Sequence, residues 1–153
     1  MIPKQENEPD RRMLGALLRI PFQTIVARIE NGLNARGFTD LRPAHFAIFQ
    51  LIEPEGTRIT DLAERAQITK QSMSALVDHV EACGYVERLP DPEDRRARIV
   101  RLTQKGQALD AAARQILAEA EAKWAEKLGE KRMAALKQTL RDLIALMDGE
   151  NLE

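Results

Sequence analysis

One cysteine, Cys83, stands among 153 residues, so no disulfide can form within the chain. Two histidines, His45 and His79, accompany it, and these leave too few donors for a closed metal centre. Aromatic residues make up only 4% of the chain, which leaves Leu, Ile, Val, Ala and Met to build any core. No apolar run nears the roughly 20 residues that a membrane-spanning helix needs, so no membrane partner is expected. The opening residues, Met1 to Asp10, are polar and carry Pro3 and Pro9. They lack the apolar segment of a secretory signal, and a cytoplasmic location is expected. No glycine-rich phosphate loop and no Gly-x-Ser-x-Gly elbow is present, so no enzyme activity, catalytic residue or cofactor is expected.

An excess of charge of one sign is missing as well. The formal net charge of -1 argues against a general polyanion binder. Recognition of nucleic acid needs only a local basic face, so the distribution of charge decides more than its sum. With 44% hydrophobic and 31% charged residues, the chain reads as an ordinary folded one. Its length predicts one integrated domain, to which dimerisation would add useful burial.

What is present is mainly helical. Leu14, Leu17, Leu18, Phe22, Ile25, Val26, Ile29 and Leu33 recur every three or four residues. They predict an amphipathic helix, kinked rather than broken at Pro21 and stopped by Gly37. Leu41 to Glu53 predicts a second helix, with Pro43 in its first turn. Thr60 is expected to cap a short helix, Asp61 to Ala66, and Thr69 a longer one from Lys70 to about Cys83. After Gly84, Tyr85 to Arg88 and Arg98 to Leu102 predict a hairpin around the polar turn Pro90 to Asp94. Thr103 then caps a long helix to about Leu128, Gly129 breaks it, and Lys131 to Met147 resumes.

The stretch from residue 57 to 106 carries the functional signal. Met73, Leu76, Val77 and Val80 make an inward stripe that turns Lys70, Gln71, Ser74, Ala75 and Asp78 outward, with Ser72 and His79 on the flanks. A major groove admits one helix whose first residues reach base edges. Gln71 suits an adenine edge and Ser72 and Ser74 suit phosphate or base, while Thr69 and the helix amides suit phosphate. An ordinary polar surface helix is the alternative. In the hairpin, Arg88, Arg95, Arg96, Arg98 and Arg101 interleave with Glu87, Asp91, Glu93 and Asp94. Adjacent arginines on a turn can enter a minor groove; a solvated charged hairpin is the alternative here.

Several of these runs resemble the multiple antibiotic resistance regulator (MarR) family. They are Asp61-Leu62-Ala63-Glu64-Arg65, Thr69-Lys70-Gln71-Ser72-Met73-Ser74, Leu76-Val77 and Gly84-Tyr85-Val86. The run Asp91-Pro92-Glu93-Asp94-Arg95-Arg96 with Leu102-Thr103-Gln104-Lys105-Gly106 fits the family's Asp-x-Arg-x5-Leu-Thr-x-x-Gly pattern at each fixed position.

The resemblance implies a mainly α fold, a winged helix-turn-helix with N- and C-terminal dimerisation helices and a two- to three-stranded β wing. It divides the chain into a flexible arm (1–9), an N-terminal dimerisation helix (10–38), the DNA-binding domain (39–104) and C-terminal dimerisation helices (105–148). The implied partners are double-stranded DNA and a second copy of the chain. Gln71, Ser72 and Ser74 would face the major groove, Lys70 a phosphate, and Arg96, flanked by Arg95 and Arg98, the minor groove. Asp94 would orient a neighbouring arginine. A small aromatic or phenolic effector is implied, for which Phe22, His45, Phe46 and Phe49 are the candidate lining, core packing being the alternative for the phenylalanines and a helix-surface position the alternative for His45. An oxidant-sensing role is disfavoured, since no cysteine lies near the N-terminus. Cys83 reads as a small buried apolar residue, and the His79 and Cys83 pair is incomplete as a zinc site. A winged-helix protein-interaction module that binds no DNA stands as the competing reading.

Overall fold

The computed structural model describes residues 12–150, so the arm over residues 1–9 and the start of the 10–38 segment lie outside it. Helix α1, Leu14–Ala35, runs unbroken through Pro21. A 3-10 turn, Pro43–His45, leads into the short α2, Phe46–Leu51. Strand β1, Thr57–Arg58, passes directly into α3, Ile59–Ala66, and a tight turn leads to α4, Lys70–Ala82. Strands β2, Val86–Pro90, and β3, Arg98–Leu102, precede the long α5, Gln104–Leu128, and α6, Glu130–Glu150. The sheet is antiparallel in the order β1-β3-β2, with Thr57 opposite Val100 and Val86 opposite Leu102.

Two expected helices differ in detail. The continuous helix expected over Leu41 to Glu53 is instead the 3-10 turn followed by α2. Arg42 is extended ahead of Pro43, and Ile52 is extended at the other end. The Glu53 amide donates to the Thr57 hydroxyl at 2.9 Å, which draws the chain out of helix and toward β1. Thr60 is not a cap. Pairing with β3 holds Thr57 and Arg58 extended, so α3 starts at Ile59 and Thr60 lies within its first turn.

The other punctuation follows local chemistry. The Thr69 hydroxyl accepts the Ser72 amide at 3.1 Å, and the Thr103 hydroxyl accepts the Gly106 amide at 3.1 Å; both cap the helices they precede. Gly84, at φ +85, ends α4 in a backbone conformation that side chains resist.

The core lies beneath the helix-turn-helix and sheet. Ile48, Leu62, Met73, Val77, Val80, Tyr85, Val86, Val100 and Leu109 are shielded from water. Each such aliphatic side chain contributes about 1.5–3 kcal/mol of transfer free energy. Helix α1 packs along α5 through Ile29, Leu33 and Ile116, the last lying against Gly32 where any side chain would crowd it. No described helix is long and apolar enough to cross a membrane.

Candidate nucleic-acid interface

Helix α4 shows two faces, as its sequence stripe dictates. Met73, Val77 and Val80 are fully buried, while Lys70, Gln71 and Ser72 stand exposed on the first turn. Ser74 is half-buried, deeper than its place on the polar face suggests. Thr69 is exposed, but its side chain is committed at both ends: besides accepting the Ser72 amide, its hydroxyl donates to the Ser72 Oγ at 2.9 Å. The Ser72 and Met73 amides are bonded to Thr69, and the helix end they begin carries partial positive charge.

A junction that sequence reasoning missed secures the far end of α4. Asp40, ahead of the 3-10 turn, accepts the Tyr85 hydroxyl at 2.5 Å, and its backbone carbonyl accepts the His79 Nε2 proton at 2.7 Å. Lys105 of α5 donates to the Cys83 carbonyl at 2.7 Å and lies 4.3 Å from the centre of the Tyr85 ring. Burial works to raise the Asp40 carboxyl, but the Tyr85 hydroxyl and Lys105 outweigh it and hold the group below its ordinary value. Burial and Asp40 together push the Cys83 thiol above its ordinary value, which keeps it protonated and weakly nucleophilic. Tyr85 and Lys105 both lie in the motif runs, yet nothing in their spacing names Asp40 as partner.

The hairpin sorts its charges by height. Near its base, Arg88 pairs with Asp78 at 2.6 Å and Glu81 at 2.7 Å, tying β2 to α4. Arg101 pairs with Glu87 across the strands at 2.8 Å. Asp91 is buried and pairs with Arg58 of β1 at 2.6 Å. The Glu93 amide and the Arg58 guanidinium hold the Asp91 carboxyl below its ordinary value. Above these pairs, Arg95, Arg96 and Arg98 are exposed, and among the described residues their guanidinium groups make no hydrogen bond or ion pair. The near-neutral sum of the stretch therefore hides a basic tip over a neutralised base.

Asp94 acts differently from expectation. Its carboxylate accepts the backbone amide of Arg96 at 3.0 Å, a local turn bond, and among the described residues it grips no guanidinium. Of the two turn aspartates, Asp91, which the sequence offers only as one acid among four, is the one that holds an arginine side chain.

The four residues proposed to line an effector pocket do not come together. Phe46 and Phe49 do share a cleft of about 220 Å³ with Ile29, Leu33, Leu109 and Arg114, between α1, α2 and α5. His45 is buried elsewhere: its ring stacks on His79 at 4.5 Å and its Nδ1 accepts the Arg42 amide at 2.9 Å. Phe22 lies in a separate apolar groove between α1 and α6, 57% exposed. Among the described residues, no group of three or more His, Cys, Asp or Glu is placed to hold a metal.

Comparison with known proteins meets this geometry at the same residues. The sequence model of the MarR family matches residues 39–97. The HTH-type transcriptional regulator FarR of Neisseria gonorrhoeae is 30% identical over 120 residues, which are 78% of this chain and 80% of FarR. The transcriptional activatory protein BadR of Rhodopseudomonas palustris is 30% identical over 95 residues, 61% of this chain, a match that spans about half of BadR (52%). Among solved structures, a transcriptional repressor, CouR, is similar in a form bound to a 23-mer DNA duplex. It is 28% identical, with a TM-score of 0.70 over 86% of this chain and 92% of CouR. The capped α4 and the arginines at positions 95 and 96 fall inside the matched residues, and the chain belongs to the MarR family of winged helix-turn-helix transcriptional regulators.

Proposed function

We propose that the protein is a cytoplasmic, ligand-responsive repressor that grips a pseudo-palindromic operator as a homodimer. Each copy seats α4 in a major groove, with Gln71, Ser72 and Ser74 toward bases and Lys70 toward phosphate. Its wing tip reaches into the neighbouring minor groove through Arg96, flanked by Arg95 and Arg98. The half-sites lie about one helical turn apart. One observation carries this reading: Glu87 and Asp91 are paired with Arg101 and Arg58 and Asp94 accepts a backbone amide, while among the described residues the guanidinium groups of the three tip arginines make no hydrogen bond or ion pair. A protein-interaction module has no need of that sorting, which leaves unpaired arginines at the tip although the sum over the stretch is near neutral.

The dimer rests on the terminal helices. Leu14, Leu17, Leu18, Ile20 and Phe22 of α1, with Leu136, Ile144, Leu146 and Met147 of α6, are exposed large hydrophobics. Apolar surface gathered in this way on two helices calls for a cover, which a second copy of the same helices supplies. The effector is a small aromatic or phenolic compound held in the cleft of Phe46 and Phe49, whose size suits a single ring. A neighbour in fold, CouR of Rhodococcus jostii RHA1, has been crystallised bound to p-coumaroyl-CoA.

The test is selection of bound sites from random duplex DNA, followed by anisotropy titration of wild type and Arg96→Ala. The substitution is expected to weaken binding by about 1–3 kcal/mol with the dimer intact. Unchanged affinity, or no preference for inverted repeats, overturns the reading. Salicylate-like anions and lipophilic phenols that neither release the DNA nor raise the melting temperature would sink the effector part.

A further inference from the structure

Asp91 stands at the point where β2 gives way to the loop that carries the wing arginines, and its side chain is only 8% exposed. Both carboxylate oxygens are occupied. Oδ1 accepts the Glu93 amide at 2.9 Å, and Oδ2 accepts from Nε and Nη2 of Arg58, each at 2.6 Å. The Asp91 amide donates to the Ala97 carbonyl at 3.0 Å, so the same residue closes the loop over positions 91 to 97. Arg58 belongs to β1, and β1 is not a neighbour of β2: the strand order is β1-β3-β2. The ion pair therefore crosses over β3 and ties the two outer strands together at the base of the tip. A two-stranded hairpin twists and swings freely about its long axis, and a link between the outer strands removes that freedom where it would displace the arginines most.

We propose that Arg58 is a positioning residue for DNA recognition: through its pair with Asp91 it fixes the 91–97 loop so that Arg95, Arg96 and Arg98 enter the minor groove, without contacting DNA itself. This rests on the minor-groove reading above. A guanidinium is suited to the role because it offers two donors in a rigid plane, which a lysine ammonium does not. Asp91 gives the inference its sharpest consequence. Removing a carboxylate from a DNA-facing element ordinarily strengthens binding by lessening repulsion of phosphate. A carboxylate that aims three arginines does the reverse when it is lost.

The experiment is a double-mutant cycle of operator affinity, with Arg58→Ala, Arg58→Lys and Asp91→Asn each made in wild type and in Arg96→Ala. Thermal melts confirm that each variant folds, and backbone amide order parameters over residues 91 to 97 are measured on the free protein. All three variants are expected to weaken binding about tenfold in wild type, by a clearly smaller factor in Arg96→Ala, where only Arg95 and Arg98 remain to be aimed, and to lower the order parameters of the loop. Tighter binding by Asp91→Asn, full affinity in Arg58→Lys, losses that add to that of Arg96→Ala, or an unchanged loop each overturns the positioning role. An Arg96→Ala protein that binds as wild type overturns the minor-groove reading instead, and the order parameters then still decide whether Arg58 sets the loop.

Discussion

A methyl group added at Gly106 would overlap the carbonyl oxygen of Tyr85, because the first turn of α5 is pressed against the chain where it leaves α4. The glycine in the Leu-Thr-x-x-Gly pattern is thus a requirement of close approach, and backbone cannot move aside as a side chain can. Gly106→Ala is expected to cost about 3 kcal/mol or more, read as a fall in the urea midpoint. His45 makes a second residue-scale prediction. Burial, and then the neighbouring His79, hold its pKa below the ordinary 6.5, and its Nδ1 must stay unprotonated to accept the Arg42 amide. Between 6.5 and that lowered value the unfolded chain takes up a proton that the folded one refuses. Stability therefore rises with pH through this window and falls on acidification from 6.5 downward. His45→Asn keeps an acceptor at the δ position and is expected to flatten the dependence of the urea midpoint between about pH 5 and 7. A variant that stays as pH-sensitive as wild type would assign the effect elsewhere.

At the scale of elements, the helices were legible where a cap and an apolar stripe agree. Thr69 and Thr103 each hold an amide three residues on, as their positions ahead of periodic segments imply. Thr69→Ala is expected to cost about 1 kcal/mol and to fray the first turn of α4, seen as faster amide exchange at Ser72. Its effect on DNA affinity should exceed its effect on melting, because that turn presents Gln71 and Ser72. Legibility failed where a tertiary partner competes with local preference. Thr60 looks like a cap only while the pairing of Thr57 with Val100 is unknown. The segment Leu41 to Glu53 looks like one helix until the Thr57 hydroxyl captures the Glu53 amide. In the wing, two short runs about a polar turn revealed the hairpin, but nothing local distinguishes Asp91 from Asp94, since both accept a backbone amide two residues ahead. Only the presence of Arg58 beside one of them separates their roles.

For the whole molecule, the weight falls on the terminal helices. Helix α6 has no buried residue among those described, and Ile144 and Leu146 are 57% and 66% exposed. A dimer that covers them should have twice the 17.3 kDa chain mass by light scattering and a melting temperature that rises with protein concentration. Ile144→Glu with Leu136→Glu is expected to lower the mass to that of one chain and to abolish preference for inverted repeats. A wild-type protein of single-chain mass would overturn the dimer. Salt offers a check at the same scale: operator affinity should fall steeply with ionic strength despite the net charge of -1, because the tip arginines displace counterions locally.

The amino-acid sequence alone determined the succession of helices, the hairpin and the family pattern, because periodicity, caps and glycine stops are local and act over a few residues. It also determined that Lys70, Gln71, Ala75 and Asp78 stand outward on α4, opposite the buried stripe, while Ser74 and Leu76 lie half-buried between the two faces. Tertiary structure decided which charges cancel, that Phe22 and His45 lie apart from Phe46 and Phe49, and that Asp40, Tyr85 and Lys105 meet at the foot of α4. Those outcomes depend on distances between elements remote in the chain, and Coulomb and hydrogen-bond energies are set by such distances rather than by order along the backbone.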